Sequence, residues 1–255
     1  MKIGVSSTTF CSFPFEDVLE GVAKCFNHWE IVSEGDHYLP AIATSFESLK
    51  DSYKLTYSIH APFNDINIAS LNESVREMSV IELIKIMNLA AELNVKTVTF
   101  HPGLYSMVVN GFREKSIANA KRSLRTIDRM AQDCGVRMCM ENLPGFPFFL
   151  GHTAAEMQEL LEGTELPVCI DLGHANTTNQ MDEIIEAMDG RVMNIHIHDN
   201  NGQQDQHLTV GDGNIDFKHV LKKLSGYGGR YVIESKSFES AVDSQDRLIA
   251  LSSEL

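Results

Sequence analysis

The residues from Asn194 to Asn214, NIHIHDNNGQQDQHLTVGDGN, crowd three histidines and three aspartates into one short run. Ile195 and Ile197 alternate with His196 and His198, the pattern of a strand carrying imidazoles on one face before it breaks into a Gly/Asn/Gln loop. Imidazoles and carboxylates gathered where a strand meets its loop suit metal ligation or proton transfer. The pattern recurs along the chain. Apolar runs end in His60, in His101, in Glu141, in Asp171 with His174 just beyond, in His196 and in Glu234, while Asp205 and His207 lie in the loop after His196. At the rim of an apolar core these groups are desolvated, and several carboxylates together repel one another unless cations sit between them. A mixed nitrogen and oxygen set favours Zn²⁺ or Mn²⁺, with Fe²⁺ as an alternative, over Ca²⁺ and Mg²⁺, which take all-oxygen shells. A lone strand-end histidine is more often structural than a ligand; nine such groups in sequence point to a metal centre.

Something must bring these residues to one place. Short runs rich in β-branched and apolar residues recur as KIGVSS, HWEIVSE, LTYSIHAP, TVTFHPG, RMCMENLPG, PVCIDLGHA, MNIHIHDN and RYVIES. These read as eight strands. Between them FEDVLEGVAKC, NESVREMSVIELIKIMNLAAELN, REKSIANAKRSLRTIDRMAQDCG, TAAEMQELLEG and DSQDRLIALSSEL have helical spacing. Strand–helix alternation in 255 residues fits a single (β/α)₈ TIM barrel, one domain over 1–255, with its ligands at the C-terminal ends of the strands. An open doubly wound sheet is disfavoured because SSTTFCS after the first strand carries no G-x-G-x-x-G.

Composition narrows the partners. With 43% hydrophobic and 22% charged residues the chain can bury a large core. No run approaches the roughly 18 apolar residues of a membrane span, and MKIGVSSTTF lacks the apolar region of a signal peptide, so no membrane partner and a cytoplasmic location are expected. A net charge of −14 argues against general electrostatic capture of nucleic acid. Cys11, Cys25, Cys134, Cys139 and Cys169 show no C-x-x-C pair and read as reduced core thiols.

In order, HAPF at 60–63, HPG at 101–103, ENLPG at 141–145, CIDLGHA at 169–175, HIHD at 196–199, DQHLTVGDGNI at 205–215 and IES at 233–235 form a series that resembles the endonuclease IV branch of the xylose isomerase-like TIM barrels. The resemblance runs from about the third strand to the C-terminus and implies two or three zinc ions. His60 and His101 would hold one, bridged by Glu141 to a second completed by Asp171, His196 and Glu234, with His174, Asp205 and His207 around the third. It implies phosphodiester hydrolysis, on abasic-site DNA or a smaller ester, with Glu141 as bridge and proton acceptor. Related sugar isomerases and epimerases use the equivalents of Glu141, Asp171, His196 and Glu234 around a single metal. There Glu141 and Glu234 would pass a proton to and from a sugar carbon.

The early loops depart from a DNA-gripping pattern. TTFCSFPF and SEGDHYLP hold no arginine, and the second is acidic. Phe63 stands where a family aromatic contacts DNA, with a plain rim phenylalanine as the bland alternative. WEIVSEGDH resembles the second strand of the sugar isomerase and epimerase relatives, which implies that Glu34 or His37 would line a small-substrate pocket. His198 would touch substrate or, on the reading slightly preferred, orient Asp199 or a ligand. The glycines of VGDGN serve to position Asp205 and His207 rather than to cradle a phosphate. His28, His152 and His219 read as surface or capping residues. GFPFFLG (145–151) reads as a pocket wall, a lid or an interface.

Overall fold

The computed structural model describes residues 1–254. The eight apolar runs form strands β1 (Lys2–Ser6), β2 (His28–Val32), β3 (Thr56–His60), β4 (Thr97–Phe100), β5 (Arg137–Glu141), β6 (Val168–Asp171), β7 (Val192–Ile197) and β8 (Arg230–Ile233). Each pairs in parallel with the next, and β1 closes on β8 from Lys2 opposite Arg230 to Val5 opposite Ile233. The expected (β/α)₈ barrel is the one observed.

Side chains alternate along each strand, and that period decides which of them meet at the barrel axis. Trp29, Ile31, Ile59, Phe100, Met138, Met140, Ile170, Ile195, Ile197 and Ile233 are buried in the apolar core, where helix residues such as Leu19, Phe46, Leu83, Met87, Leu124 and Leu160 also lie. The alternate positions, Glu30, Ser58 and His60, Thr99, Cys139 and Glu141, Cys169 and Asp171, Asn194 and His196, carry most of the polar groups. Below the mouth Glu30 Oε2 accepts from Ser58 Oγ at 2.7 Å and from Asn194 Nδ2 at 2.8 Å. A barrel lined this way is filled by hydrogen-bonded polar side chains beneath a rim of imidazoles and carboxylates.

The outer ring comprises α1 (Phe15–Cys25), α2 (Leu39–Leu49), α3 (Glu73–Glu92), α4 (Phe112–Cys134), α5 (Ala154–Leu161), α6 (Leu172–Thr178), α7 (Met181–Ala187), α8 (Phe217–Lys223) and α9 (Phe238–Ser253). Local signals set their ends. Asn72 caps α3 by accepting from Ser74 N, Gly135 at φ 66 terminates α4, and Ser237 with Ser240 forms a capping box on α9. Helical spacing locates α1, α3, α4 and α5 closely. It starts α9 five residues late and does not single out α2, α6, α7 or α8, of which the last three are only seven residues long. Two helical turns are too few for periodicity to register.

Two expectations need correction. His28 is not at the surface: it is 2% exposed, with Nδ1 2.9 Å from Thr56 Oγ1 and Nε2 3.0 Å from Ser58 Oγ. The two-residue strand period places it on the same side as Glu30. Among the cysteines only Cys139 and Cys169 are buried; Cys11 and Cys134 are half-buried and Cys25 is exposed, all five being free thiols. His219 is exposed and His152 half-buried. No helix among the described residues is long and apolar enough to cross a membrane.

Candidate metal centre

At the C-terminal end of the barrel Glu141 stands between two groups of histidines. Its Oε2 lies 3.0 Å from His60 Nε2 and 3.2 Å from His101 Nε2, while its Oε1 lies 2.9 Å from His196 Nδ1. Around the second face His196 Nδ1 is 3.5 Å from Glu234 Oε1 and 3.9 Å from Asp171 Oδ2. Beside them His174 Nε2 and His207 Nε2 lie 3.4 and 3.3 Å from Asp205 Oδ2. The structure thus brings all nine residues singled out by sequence into one continuous cluster, with His60, Glu141, Asp171, His174, His196 and Glu234 buried.

In three of these imidazoles the scaffold holds one ring nitrogen and so turns the other toward the cluster. His60 Nδ1 donates to Ala61 O at 2.8 Å and His174 Nδ1 donates to Asn142 O at 2.8 Å, so Nε2 of each faces the cluster. His196 is the reverse: Nε2 donates to Glu30 Oε1 at 2.6 Å and Nδ1 faces inward to the carboxylates. Outer partners of this kind fix tautomer and ring orientation in metal sites. Glu30 and Asn142 hold residues of the cluster in place, and the sequence reading singles out neither. The signal for Glu30 was present, a carboxylate in the middle of the apolar run HWEIV, which must be paired if buried. Asn142 clamps the backbone of Asp171, accepting from its N at 2.8 Å and donating to its O at 2.9 Å. Thr8, after β1, donates to Glu234 Oε1 at 3.1 Å.

The loop that presents Asp205 and His207 is built on another carboxylate. Buried Asp199 accepts from the N–H groups of Asn200, Gly211 and Gly213, each at 2.9 Å, and of Ile215 at 3.3 Å. The turn VGDGN therefore wraps a side chain of the protein itself. Gly213 has no room for a Cβ, which would lie 2.3 Å from Asn200 O, and His207 is held at φ 44, a strained conformation for a bulky residue.

Electrostatics follow from the crowding. Burial works against ionisation of Glu141, but His196, His101 and His60 outweigh it and hold its carboxyl well below the usual range. Burial opposes the charge on His174, yet Asp171, Asp205 and Glu141 push it up to about 10. The cluster is one of mutually dependent charges, and bound cations would replace the protons that balance its carboxylates. Three of its polar atoms, Asp171 Oδ2, His198 Nε2 and Asp205 Oδ1, are buried without a hydrogen-bond partner. Orphaned donor atoms in a mixed imidazole and carboxylate set fit divalent metals with nitrogen and oxygen preference.

Of the residues expected to meet substrate, Phe63 lies at the mouth, stacked on His101 with ring centroids 5.1 Å apart. Glu34 supports it: Glu34 Oε1 accepts from Phe63 N and Asn64 N at 2.9 Å. His37 is fully buried against Phe15 and Trp29, its ring nitrogens meeting Ser7 Oγ and Phe13 O. His198 lies among His174, Asp205 and His207, stacked on the last at 4.0 Å. A cavity of about 500 Å³ opens beside the cluster, lined by His101, His174 and Asp205 and by an apolar wall that includes Phe63, Leu104, Leu143, Phe146 and Phe149. GFPFFLG supplies part of that wall. In the segments joining each strand to the following helix, Lys236 is the only lysine or arginine, against acids such as Glu34, Asp36, Asp65 and Asp212.

Residues 21–251 match the family profile described as the xylose isomerase-like TIM barrel. An uncharacterised protein of Methanocaldococcus jannaschii is 36% identical over 97% of this chain and 88% of its own length. A probable endonuclease 4 of Aquifex aeolicus is 30% identical over 69% of this chain and 68% of its own. A crystal structure described as a D-tagatose 3-epimerase-like protein superposes with a TM-score of 0.94 at 35% identity, covering 100% of this chain and 98% of that one.

Proposed function

The chain belongs to the xylose isomerase-like TIM-barrel family, and from that premise we propose that it is a divalent-metal-dependent enzyme that hydrolyses a phosphoester of a small molecule at a multinuclear centre. The observation that carries this reading is the two-faced placement of Glu141, with Oε2 toward His60 and His101 and Oε1 toward His196. That is the placement of a carboxylate shared by two ions. A mononuclear centre built on Glu141, Asp171, His196 and Glu234 would leave His60 and His101 without a task.

Bound zinc, or Mn²⁺ or Fe²⁺ in its place, would supply Lewis-acid activation of water and of a phosphoryl oxygen. His60, His101 and Glu141 would hold one ion; Glu141, Asp171, His196 and Glu234 a second; His174, Asp205 and His207 a third. Glu141 and Glu234 flank His196 Nδ1 at 2.9 and 3.5 Å and are the carboxylates placed to take up a proton from the attacking water. Phe63 and the aromatic wall seat the organic part of the substrate and exclude water. DNA is disfavoured as substrate because the strand-to-helix segments offer Lys236 as their only cation to a phosphate backbone.

A second reading, isomerisation or epimerisation of a ketose with Glu141 and Glu234 as the acid–base pair, is favoured by the similarity to the epimerase-like structure at 35% identity. Elemental mass spectrometry of the purified protein, followed by turnover of bis(4-nitrophenyl) phosphate and of a ketose panel, separates them. We expect more than one ion per chain and phosphodiester turnover that both Glu141→Gln and His101→Ala abolish. A single ion, with ketose turnover that survives His101→Ala, would establish the second reading instead.

A further inference from the structure

His198 has no assigned task in either scheme, yet it stands inside the third ligand group. We propose that His198 is a fourth protein ligand of the ion held by His174, Asp205 and His207, and that it closes that site to substrate. The inference rests on the multinuclear reading above.

Four observations converge. Asp205 Oδ2 lies 3.4 Å from His174 Nε2 and 3.3 Å from His207 Nε2, its Oδ1 lies 3.3 Å from His198 Nε2, and one nitrogen of each imidazole and one Asp205 oxygen all fall within 4.8 Å of one another. The two contacts to Oδ2 match the separation of about 3.3 Å between ligand atoms at the corners of a tetrahedron with bonds of about 2.0–2.1 Å. The second observation is burial without satisfaction, since His198 Nε2 and the Asp205 oxygen nearest it have no hydrogen-bond partner. A buried ring nitrogen left open is costly unless something else occupies it. Third, His198 Nδ1 approaches Asp199 O at 3.5 Å, the arrangement of His174 Nδ1 with Asn142 O, so that Nε2 is again the nitrogen left for the cluster. Fourth, the ring has its place reserved. A Cβ at Gly173 would lie 1.9 Å from His198 Cε1, so only glycine at that position lets the imidazole reach the group.

With the His198 ring turned out of its stack on His207, three imidazoles and one carboxylate make a complete tetrahedral set, the composition of a closed site rather than of one that keeps a position for water or substrate. The third ion would then tie the loop after β7 to α6. The chemistry would be left to the pair of ions that share Glu141.

The competing assignment is that His198 only orients Asp171, whose Oδ1 lies 3.1 Å from its Nε2. To decide, the stripped protein is loaded with zinc, desalted and counted by elemental mass spectrometry for the unmutated chain, His198→Asn, His198→Ala, His207→Ala and the His198→Ala/His207→Ala double variant. Each single variant is expected to lose one zinc, with its affinity falling more than about 100-fold, beyond the 10–100-fold of a residue that only orients a ligand. The double variant should lose no more than either single one. In the unmutated protein, long-range proton–nitrogen spectra during zinc titration should show His198 Nε2 moving to a metal-bound position in step with His174 Nε2, a readout that does not depend on a variant folding.

A full zinc count in both His198 variants, or an unmoved Nε2, overturns the proposal. Glu141→Gln is counted in parallel. Zinc lost there but not in the His198 variants would overturn this site alone. Zinc lost in the His198 variants with the Glu141→Gln count unchanged would keep this site and overturn the shared-ion reading. An unmutated chain that never holds more than one zinc would overturn both.

Discussion

Glu30 supports the centre through its contact with His196. Its Oε1 accepts from His196 Nε2 at 2.6 Å, and its other oxygen is held by Ser58 and Asn194, so the ring is locked with Nδ1 toward Glu141. Glu30→Gln keeps the shape of the side chain but puts a neutral amide where the anion was. Zinc affinity measured by chelator competition should fall about 10–100-fold with the far-ultraviolet circular dichroism unchanged. Equal affinity in the two proteins would mean that His196 is oriented by something else. His28, in the same strand, makes a different prediction. Burial, reinforced by nearby Arg230, brings its pKa down from 6.5 to about 3. The folded protein therefore keeps His28 neutral while the unfolded chain protonates it below pH 6.5, so stability is lost as pH falls from 6.5 toward 3. Urea midpoints should show a shallower acid limb in that window for His28→Gln, by at most about 5 kcal/mol. Parallel pH profiles would remove His28 from the acid response.

The loop between β7 and α8 shows how a flexible stretch becomes a rigid ligand arm. Its glycines let the chain turn around Asp199, and Asp199 ties four N–H groups together while the short bridge between Asp199 and Leu208 closes the base. The strain of His207 at φ 44, of order 1–3 kcal/mol, persists because the surrounding bonds fix it. Asp199→Ala would leave several buried N–H groups unpaired at about 1–3 kcal/mol each. Urea unfolding should show a loss of at least about 3 kcal/mol, accompanied by loss of the zinc held by Asp205 and His207, neither of which has been altered. Retention of that zinc would show that the loop holds its shape by other contacts. HIHD and VGDGN could be read as a ligand segment and a turn from sequence alone. That the anion in the turn is Asp199, and that Asp171 caps α6 with one oxygen and leaves the other free, depended on backbone directions that periodicity does not carry.

Across the whole molecule the charge distribution argues for a small substrate. A net charge of −14 combines with a mouth whose strand-to-helix segments hold Lys236 as their only cation. Phosphate-backbone binding needs several lysines or arginines in register, and these segments supply one. A labelled duplex carrying an abasic site should not bind at about 0.1 M salt, at metal loadings that support phosphodiester turnover. Saturable binding there would return DNA to the list of substrates.

By itself the sequence determined the barrel and which histidines and carboxylates stand at its strand ends. Eight apolar runs alternating with helical ones admit few topologies, and a ligand at the end of a buried parallel strand has only the mouth to face. It also showed that the early loops were poor in cations. What only the tertiary structure decided was how the ligands divide: that Glu141 has a separate histidine group at each oxygen, that Glu30 reaches from β2 across the barrel to His196 on β7, and that Gly173 makes room for His198. These are contacts between residues far apart in the chain, where the barrel's closure and the direction of each side chain fix the distance. Residue types and spacing constrain neighbours along a strand, whereas contacts across the barrel exist only once the strands have closed.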